Sequence, residues 1–187
     1  MKMRATLLLS TMATALLMAS GVALAQTISC SAQNACIGTE QADTMTGTNN
    51  SDLHLYGGGG ADSIYGKGGS DHIDGGAGKD LIHGGDGRDY LAGGRGIASP
   101  DVSNDYVYGG RGKDRIWGGH ADGGTDHIYG GEGDDVIKAD VLLTERSLTE
   151  EKIDCGAGEN EVWFDVGDVT DVVKNCEIEY SHLVTGR

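Results

Sequence analysis

The sequence predicts an all-β solenoid, a coil built from short parallel strands, and its repeats carry this prediction. Four nine-residue segments follow one another without a gap from Gly57 to Ala92. In each segment glycines lead, an Asp stands at the sixth place and an apolar residue stands at the eighth. The last three residues point outward, inward and outward, which suits a very short strand, and the glycine-rich first six suit a turn. Strands and turns of fixed length coil into a solenoid, with two units in each coil.

The first 25 residues are predicted to be a secretory signal that is removed from the mature protein. Lys2 and Arg4 precede an apolar stretch from Leu7 to Leu17, and Ala23-Leu24-Ala25 offers a small-x-small cleavage site before Gln26. A membrane anchor is the alternative, but the apolar run is short and polar residues interrupt it. We therefore expect a secreted, extracellular protein, with periplasmic retention as the other destination of an exported chain.

Acidic residues dominate the composition. The chain has 29 Asp and Glu residues, 14 Lys and Arg residues and a formal charge of −15; loss of the signal would leave 12 basic residues and a charge of −17. Nucleic acid and anionic lipid both need a basic surface, so this charge argues against them as partners. No segment after residue 25 predicts membrane insertion. The excess of acidic over basic residues favours cations as partners.

Four cysteines lie at the two ends of the mature chain, outside the regular repeats. In an exported protein an even number of cysteines usually forms disulfides, and four cysteines allow three connectivities. Cys30–Cys36 and Cys155–Cys176 are the favoured pairs, because each closes a local loop at one end of the array. A zinc site is the alternative, but it lacks any C-x-x-C pair. The predicted organisation is an N-terminal cap at 26–37, repeats at 38–138 and a C-terminal region at 139–187.

The nine-residue period extends beyond the four opening units. Two leading units, 38–46 and 47–56, keep a first glycine and the Asp but lack the other glycines. Downstream, insertions follow Gly96 and Gly119, and the units 109–117 and 130–138 are complete. Ten Asp residues therefore hold the sixth place: Asp43, Asp52, Asp62, Asp71, Asp80, Asp89, Asp105, Asp114, Asp126 and Asp135.

After residue 138 the pattern stops and then returns in a decayed form. Ser147-Leu148-Thr149-Glu150 reads as a capping box that opens a short helical turn. The unit 155–163 keeps Val162 at the eighth place but has Cys155 for the first glycine and Asn160 for the Asp. We expect the valine-rich tail that leads to Cys176 to cover the open end of the array, because a terminal repeat has no next neighbour.

The energetics of such a coil call for a cation. Each unit buries about one aliphatic side chain, worth roughly 1.5–3 kcal/mol, whereas ordering each residue costs about 1–2 kcal/mol before hydrogen bonding is counted. A column of Asp side chains at strand spacing adds like-charge repulsion. Carboxylates beside turns rich in carbonyl oxygens suit calcium, which accepts roughly six to eight oxygen ligands, better than magnesium, which demands a tight octahedron.

The pattern Gly-Gly-x-Gly-x-Asp-x-apolar-x resembles the repeat of the RTX, or haemolysin-type, calcium-binding family. The resemblance covers Gly38 to Lys138 and, loosely, Cys155 to Trp163. It implies a right-handed parallel β-roll of nonapeptide repeats, here with disulfide-bonded end caps, which holds several Ca²⁺ ions between successive turns. Many members differ from this chain, because they carry an uncleaved C-terminal export signal and an attached hydrolase or toxin domain.

The resemblance also assigns ligands, namely sixth-place carboxylates and glycine-turn carbonyls. The carboxylates are Asp62, Asp71, Asp80, Asp89, Asp105, Asp114, Asp126 and Asp135, with Asp43 and Asp52 as secondary candidates in the glycine-poor leading units. The glycines are Gly57, Gly59, Gly66, Gly68, Gly75, Gly76, Gly78, Gly84, Gly85, Gly87, Gly109, Gly110, Gly112, Gly130, Gly131 and Gly133. The predicted function is a secreted, non-catalytic protein that folds on binding calcium.

Enzyme motifs are missing from the sequence. It has no His-Glu-x-x-His, Gly-x-Ser-x-Gly or phosphate-cradling loop. Ser70-Asp71-His72 invites interpretation as part of a triad, but its residues hold the fifth to seventh places of one repeat, so Asp71 is better explained as a calcium ligand. The repeat histidines are better explained as exposed strand residues than as transition-metal ligands. A hydrolase of unfamiliar type stays as the rival class.

An aromatic column motivates a second hypothesis. If units alternate between two sheets, the ninth places of alternate units form the outward column Tyr65, His83, Tyr108 and Tyr129. Beside it lie Ser63, Leu81, Tyr106 and His127, and the opposite sheet receives Asp74, Ala92, Trp117 and Lys138. A flat row of rings could stack on sugars, which would make the protein a calcium-dependent adhesion or carbohydrate-binding module. The alternative is that the rings stabilise one another across neighbouring strands.

Overall fold

The computed structural model describes residues 24–31, 34–94, 103–119, 124–139, 151–165, 172–176 and 178–182. All regular structure in these segments is β-structure. The predicted signal up to residue 23, the capping box and most of the two insertions lie outside the described residues. In the described segments no helix has the length and apolarity that a bilayer crossing requires.

Successive strands alternate between two eight-stranded parallel sheets, which we call sheet 1 and sheet 2. Sheet 1 contains, in spatial order, β1 (Thr27–Ser29), β3 (Thr44–Thr46), β5 (Ser63–Gly68), β7 (Leu81–Asp86), β9 (Tyr106–Arg111), β11 (His127–Glu132), β13 (Lys152–Asp154) and β15 (Val172–Lys174). Sheet 2 contains β2 (Cys36–Ile37), β4 (Leu55–Gly59), β6 (His72–Ala77), β8 (Tyr90–Ala92), β10 (Arg115–Trp117), β12 (Val136–Lys138), β14 (Glu161–Asp165) and β16 (Ile178–His182). The predicted β-roll with two units in each coil is confirmed.

Both insertions preserve the alternation. Tyr106 pairs with Leu81 on one side and with His127 on the other, so the chain returns to the same register after each insertion. The strands also enter both predicted caps, because β2 pairs with β4 at the N-terminal end and β14 pairs with β12 at the C-terminal end. The chain also returns to sheet 1 after the irregular segment that follows residue 139, because Ile153 of β13 pairs with Ile128 of β11.

Several strands are longer than the predicted three residues. In β5, β7, β9 and β11 the ladder continues into the first glycines of the next unit, as in the pair Lys67↔Gly85. The expectation that the first six places form the turn was therefore wrong for these units. Successive turns lie in register, so their backbone groups continue the ladder before the chain reverses.

The core is a double column of side chains between the two sheets. They hold the eighth place of each unit, except Leu55, which holds the ninth place of the ten-residue unit 47–56. The twelve largest members of the core are at most 2% exposed: Met45, Leu55, Ile64, Ile73, Ile82, Leu91, Val107, Ile116, Ile128, Ile137, Ile153 and Val162. One aliphatic side chain per unit confirms the predicted thin core.

Disulfides close both ends of the double column. Cys30 pairs with Cys36 and Cys155 pairs with Cys176, with Cα atoms 5.6 and 5.2 Å apart. Both predicted pairings are confirmed. Cys36 and Cys155 belong to the buried cluster, and Ile28 and Val173 pack against that cluster from the terminal strands of sheet 1.

Candidate metal centre

The sixth-place aspartates form two buried columns, one beside each sheet. Every one of the ten is at most 6% exposed. Nine of them stand directly before a strand and Asp52 lies three residues before the start of β4, so the parallel register that stacks the strands also stacks the carboxylates. The column before sheet 1 contains Asp43, Asp62, Asp80, Asp105 and Asp126, and the column before sheet 2 contains Asp52, Asp71, Asp89, Asp114 and Asp135.

In each pair of neighbouring coils, Oδ1 of one aspartate accepts a hydrogen bond from the backbone N–H of the aspartate in the preceding coil. The backbone N–H of Asp71 donates to Oδ1 of Asp89 at 2.8 Å, and the N–H of Asp89 donates to Oδ1 of Asp114 at 2.8 Å. The same bond links the other successive aspartates of both columns at 2.7–2.9 Å. This ladder fixes the carboxylate orientation but uses only Oδ1.

The second carboxylate oxygen is buried without a hydrogen-bond partner at five of these positions. They are Oδ2 of Asp62, Asp71, Asp89, Asp114 and Asp135. A buried charged oxygen that accepts no hydrogen bond is strongly destabilising. Five such atoms in one repeating location indicate that a cation belongs there.

The first glycine of each unit makes room for this oxygen. A methyl group on Gly84 would lie 2.5 Å from Oδ2 of Asp89 and 2.6 Å from the carbonyl oxygen of Gly109 in the next coil. On Gly66 it would lie 2.5 Å from both Oδ2 of Asp71 and the carbonyl oxygen of Gly84. The carboxylate oxygen and the carbonyl oxygen therefore converge on one small space that only glycine leaves open.

Burial raises the pKa of these carboxyl groups in the absence of a cation. It raises the pKa of Asp71 and of Asp89 to about 6 and that of Asp114 to about 7. Burial also raises the pKa of Asp62 and Asp135. The fold therefore disfavours the charged carboxylates as they stand, and a bound cation would reverse this preference.

The predicted glycines have three different positions. The first-place carbonyls of Gly57, Gly66, Gly75, Gly84, Gly109 and Gly130 lie beside the carboxylate oxygens of the preceding coil. The second-place and fourth-place glycines, Gly76, Gly78, Gly85, Gly87, Gly110, Gly112, Gly131 and Gly133, have positive φ between 103° and 140° and shape the reversal. At the third place, Gly59 and Gly68 donate their N–H groups to the carbonyls of Thr39 and Thr48.

The leading aspartates, which are the secondary calcium candidates, differ from the rest in their hydrogen bonds. Oδ2 of Asp43 accepts the N–H and the hydroxyl of Thr39 at 2.7 and 2.8 Å, and Oδ2 of Asp52 accepts the N–H of Thr48 at 2.7 Å. Burial acts to raise the pKa of Asp43, but the bonds from Gln26 and Thr39 outweigh it and the pKa is lowered. These two carboxylates are stabilised by hydrogen bonds from the chain itself.

The oxygens present suit a hard cation such as calcium. Carboxylate and backbone carbonyl oxygens are the ligands that calcium takes in flexible geometry. In the described part of the chain no three His, Cys, Asp or Glu side chains gather as a metal cluster. A bound ion would therefore depend on backbone carbonyls for much of its coordination, which explains why the sites occur in glycine turns.

Sequence reasoning missed two residues that extend the columns and one that shapes a turn. Oε2 of Glu151 accepts the N–H of Asp126 at 2.7 Å, and Glu151 is 3% exposed. It holds the sixth place before β13, which the Glu-Lys-Ile-Asp pattern could have revealed. The N–H of Gln26 donates to Oδ1 of Asp43 at 2.7 Å, so Gln26 begins the first column. Lys67 has φ 82° at a second place, where the other complete units have glycine.

The aromatic column exists, but it is not an open platform. Tyr65, His83, Tyr108 and Tyr129 stack face to face with centroid separations of 5.2, 4.6 and 4.6 Å and interplanar angles of 11° or less. Parallel in-register strands place the rings at stacking distance, so the rings cover one another's faces and turn their edges to solvent. Mutual stabilisation of the rings therefore explains the column, and the hypothesis that these rings bind sugars stays a prediction.

The Ser-Asp-His run does not assemble a catalytic group. Asp71 is buried in its column, whereas the ring of His72 stacks on Tyr90 at 4.6 Å and lies against His54 at 5.0 Å on the outer face of sheet 2. Asp71 and His72 therefore point to opposite sides of the strand, because successive side chains alternate. His83 and His127 likewise stack on tyrosine rings, and His120 lies outside the described residues.

One comparison with known proteins identifies the repeat. The family model described as the RTX calcium-binding nonapeptide repeat matches the chain in four copies, at residues 37–73, 65–97, 102–120 and 120–140. These matches span more than half of the chain. No curated protein matches the chain.

Proposed function

This chain belongs to the RTX calcium-binding nonapeptide-repeat family, and we propose that it is a secreted, non-catalytic protein whose β-roll folds when calcium binds in its turns. One observation carries the proposal. Five sixth-place carboxylates each bury an oxygen that has no hydrogen-bond partner, at a position where the first-place carbonyl of the next coil converges. Several ions are required to satisfy a set of oxygens that repeats along the coil.

The ligands would come from the sixth-place carboxylates of the complete and interrupted units and from the first-glycine carbonyls. The carboxylates are Asp62, Asp71, Asp80, Asp89, Asp105, Asp114, Asp126 and Asp135. Asp43 and Asp52 would contribute less, because Thr39 and Thr48 already satisfy their Oδ2 atoms. A bound calcium ion supplies positive charge between stacked carboxylates; the chain supplies the fixed carboxylate orientation and the open first-glycine position.

Binding and folding are linked in this proposal. A ligand that binds only the folded coil stabilises it by RT ln(1 + [L]/Kd) at each site, about 2.7 kcal/mol when calcium is at 100 times its Kd. Several such sites compensate for a core with one aliphatic side chain per unit. Export places the protein where free calcium is abundant, which is consistent with the predicted signal and with the two disulfides.

The test uses the oxidised mature chain from Gln26 to Arg187. Circular dichroism in chelator, in calcium and in equimolar magnesium should show β-structure that rises cooperatively with calcium only. Calorimetry on the same samples counts the ions. Equal spectra in chelator and in calcium would overturn the proposal, and magnesium serves as the matched control for a general divalent effect.

A further inference from the structure

The last unit of the second column departs from the others at two linked places. Asn160 replaces the sixth-place Asp and Cys155 replaces the first glycine, and both residues are fully buried. The unit otherwise folds like its neighbours. Val162 lies in the core, and Gly156 and Gly158 keep positive φ of 79° and 131°.

Asn160 makes the column bond and one additional bond. Its Oδ1 accepts the N–H of Asp135 at 2.8 Å, as an Asp Oδ1 does in the other coils. Its Nδ2 donates to the carbonyl oxygen of Cys155 at 3.2 Å. The two bonds fix the amide orientation, because only this orientation gives the acceptor to the N–H and the donor to the carbonyl.

The equivalent pair one coil earlier consists of two acceptors. Oδ2 of Asp135 is buried without a hydrogen-bond partner, and the carbonyl oxygen that converges with it on the first-place space of Gly130 belongs to Cys155 of the next coil. Two oxygens cannot satisfy each other, so that pair needs a cation. In the last unit the amide nitrogen of Asn160 replaces the second oxygen and satisfies the carbonyl directly.

Cys155 supports the same conclusion through its side chain. In the repeats, a Cβ on the first glycine would collide with the sixth-place carboxylate, as Gly84 and Asp89 show at 2.5 Å. Cys155 carries such a Cβ, and its sulfur is held by Cys176. The neighbouring column ends in a similar way, because Ala139 holds the first place of its last unit and is 2% exposed.

We propose that Asn160 takes the place of a calcium ion, so that the second column of sites ends before the last coil and this coil closes without metal. The inference rests on the proposed function, because it states where the calcium array stops. The amide donor and the Cβ of Cys155 act together. The first satisfies the carbonyl, and the second occupies the first-place space on which the carboxylate and carbonyl oxygens of the other units converge.

The experiment compares reciprocal substitutions in the oxidised mature chain. Asn160→Asp keeps the acceptor for the N–H of Asp135 and replaces the amide donor by a negatively charged carboxylate oxygen. Asp135→Asn introduces that donor one coil earlier. Asn50→Asp adds the same charge to an exposed turn and serves as the control. Each variant is measured by thermal unfolding in saturating calcium and by a count of the calcium ions taken up on folding.

Asn160→Asp should lower the thermal midpoint by about 5 °C, the effect of one buried unsatisfied group in a chain of this size, and should leave the ion count unchanged. Asp135→Asn should lower the ion count by one. Asn50→Asp should change neither quantity. An Asn160→Asp variant that takes up an additional ion, or whose midpoint equals that of the parent, overturns the inference alone. A parent that takes up no calcium overturns the proposed function as well.

Discussion

A methyl group at the first glycine of a repeat should destabilise the protein far more than a methyl group two residues later in the same turn. On Gly66 the methyl carbon would lie 2.5 Å from Oδ2 of Asp71 and 2.5 Å from the carbonyl oxygen of Gly84. On Gly68 its nearest neighbour would be the carbonyl oxygen of Asp86 at 3.7 Å, an ordinary contact. Neither glycine has positive φ, so both positions accept alanine without backbone strain.

The magnitude follows from two terms. Replacing glycine by alanine restricts the unfolded chain and stabilises either variant by about 0.4–1 kcal/mol. Overpacking at Gly66 opposes this by about 1–3 kcal/mol, and displacement of the carboxylate and carbonyl oxygens weakens calcium binding further. The two variants should therefore differ by roughly 2 kcal/mol, or about 4–8 °C in thermal midpoint for a chain of this size.

Thermal unfolding in saturating calcium, followed by circular dichroism, measures this difference. A calcium titration of the two variants at 25 °C provides a second readout, in which Gly66→Ala alone should need more calcium to fold. Equal thermal midpoints for Gly66→Ala and Gly68→Ala would refute the assignment of the first-glycine space to the site.

Three further predictions concern pH, the disulfides and the rings. In chelator, β-structure should increase as the pH falls from 8 to 5, because burial raises the pKa of Asp114 to about 7. The stabilising contribution of this group is complete below the unfolded pKa of about 3.9 and is lost as the pH rises through 7. A flat pH profile would contradict this prediction. Replacing the Cys155–Cys176 pair by serines should lower the free energy of unfolding by about 3 kcal/mol, and the same replacement at Cys30–Cys36 should lower it by about 2 kcal/mol. The difference arises because the two disulfides close loops with separations of 21 and 6 residues. Denaturant titrations that reverse this order would contradict the prediction. Tyr108→Ser should destabilise the fold by about 1 kcal/mol, since the ring of Tyr108 stacks on both neighbouring rings. The same substitution should leave retention on immobilised glycans unchanged. Loss of glycan retention with unchanged stability would instead favour the adhesion hypothesis.

Much of the fold could be predicted because the repeat is local. A triplet such as Tyr106-Val107-Tyr108 carries its own inward and outward pattern, so it returns to sheet 1 whatever length of chain precedes it. The thin core and the buried aspartates follow from the same nine-residue spacing. The disulfide pairing also followed from sequence proximity at each end.

Features that depend on contact between coils could not be read from one unit. The stacking of Tyr108 on Tyr129 needs the distance between neighbouring strands, which turns an apparent platform into a stack. Glu151 was missed because its unit has lost the glycines that signalled the period, while the hydrogen bond from Asp126 that defines its role comes from the preceding coil. The N–H ladder that uses Oδ1 is a product of the assembled register.

The turn and its need for calcium are separable properties of the repeat. Gly156 and Gly158 retain the positive φ of the second and fourth places, so the glycine turn persists in the last unit. What that unit lacks is the first glycine and the sixth-place Asp. Second-place and fourth-place glycines therefore build the reversal, whereas the first glycine and the Asp together create a space in which two buried oxygens meet. Because Asn160 fills that role with an amide donor, a unit can keep its shape after it has lost its demand for an ion, and the length of the calcium array is set by two residues in each unit rather than by glycine content.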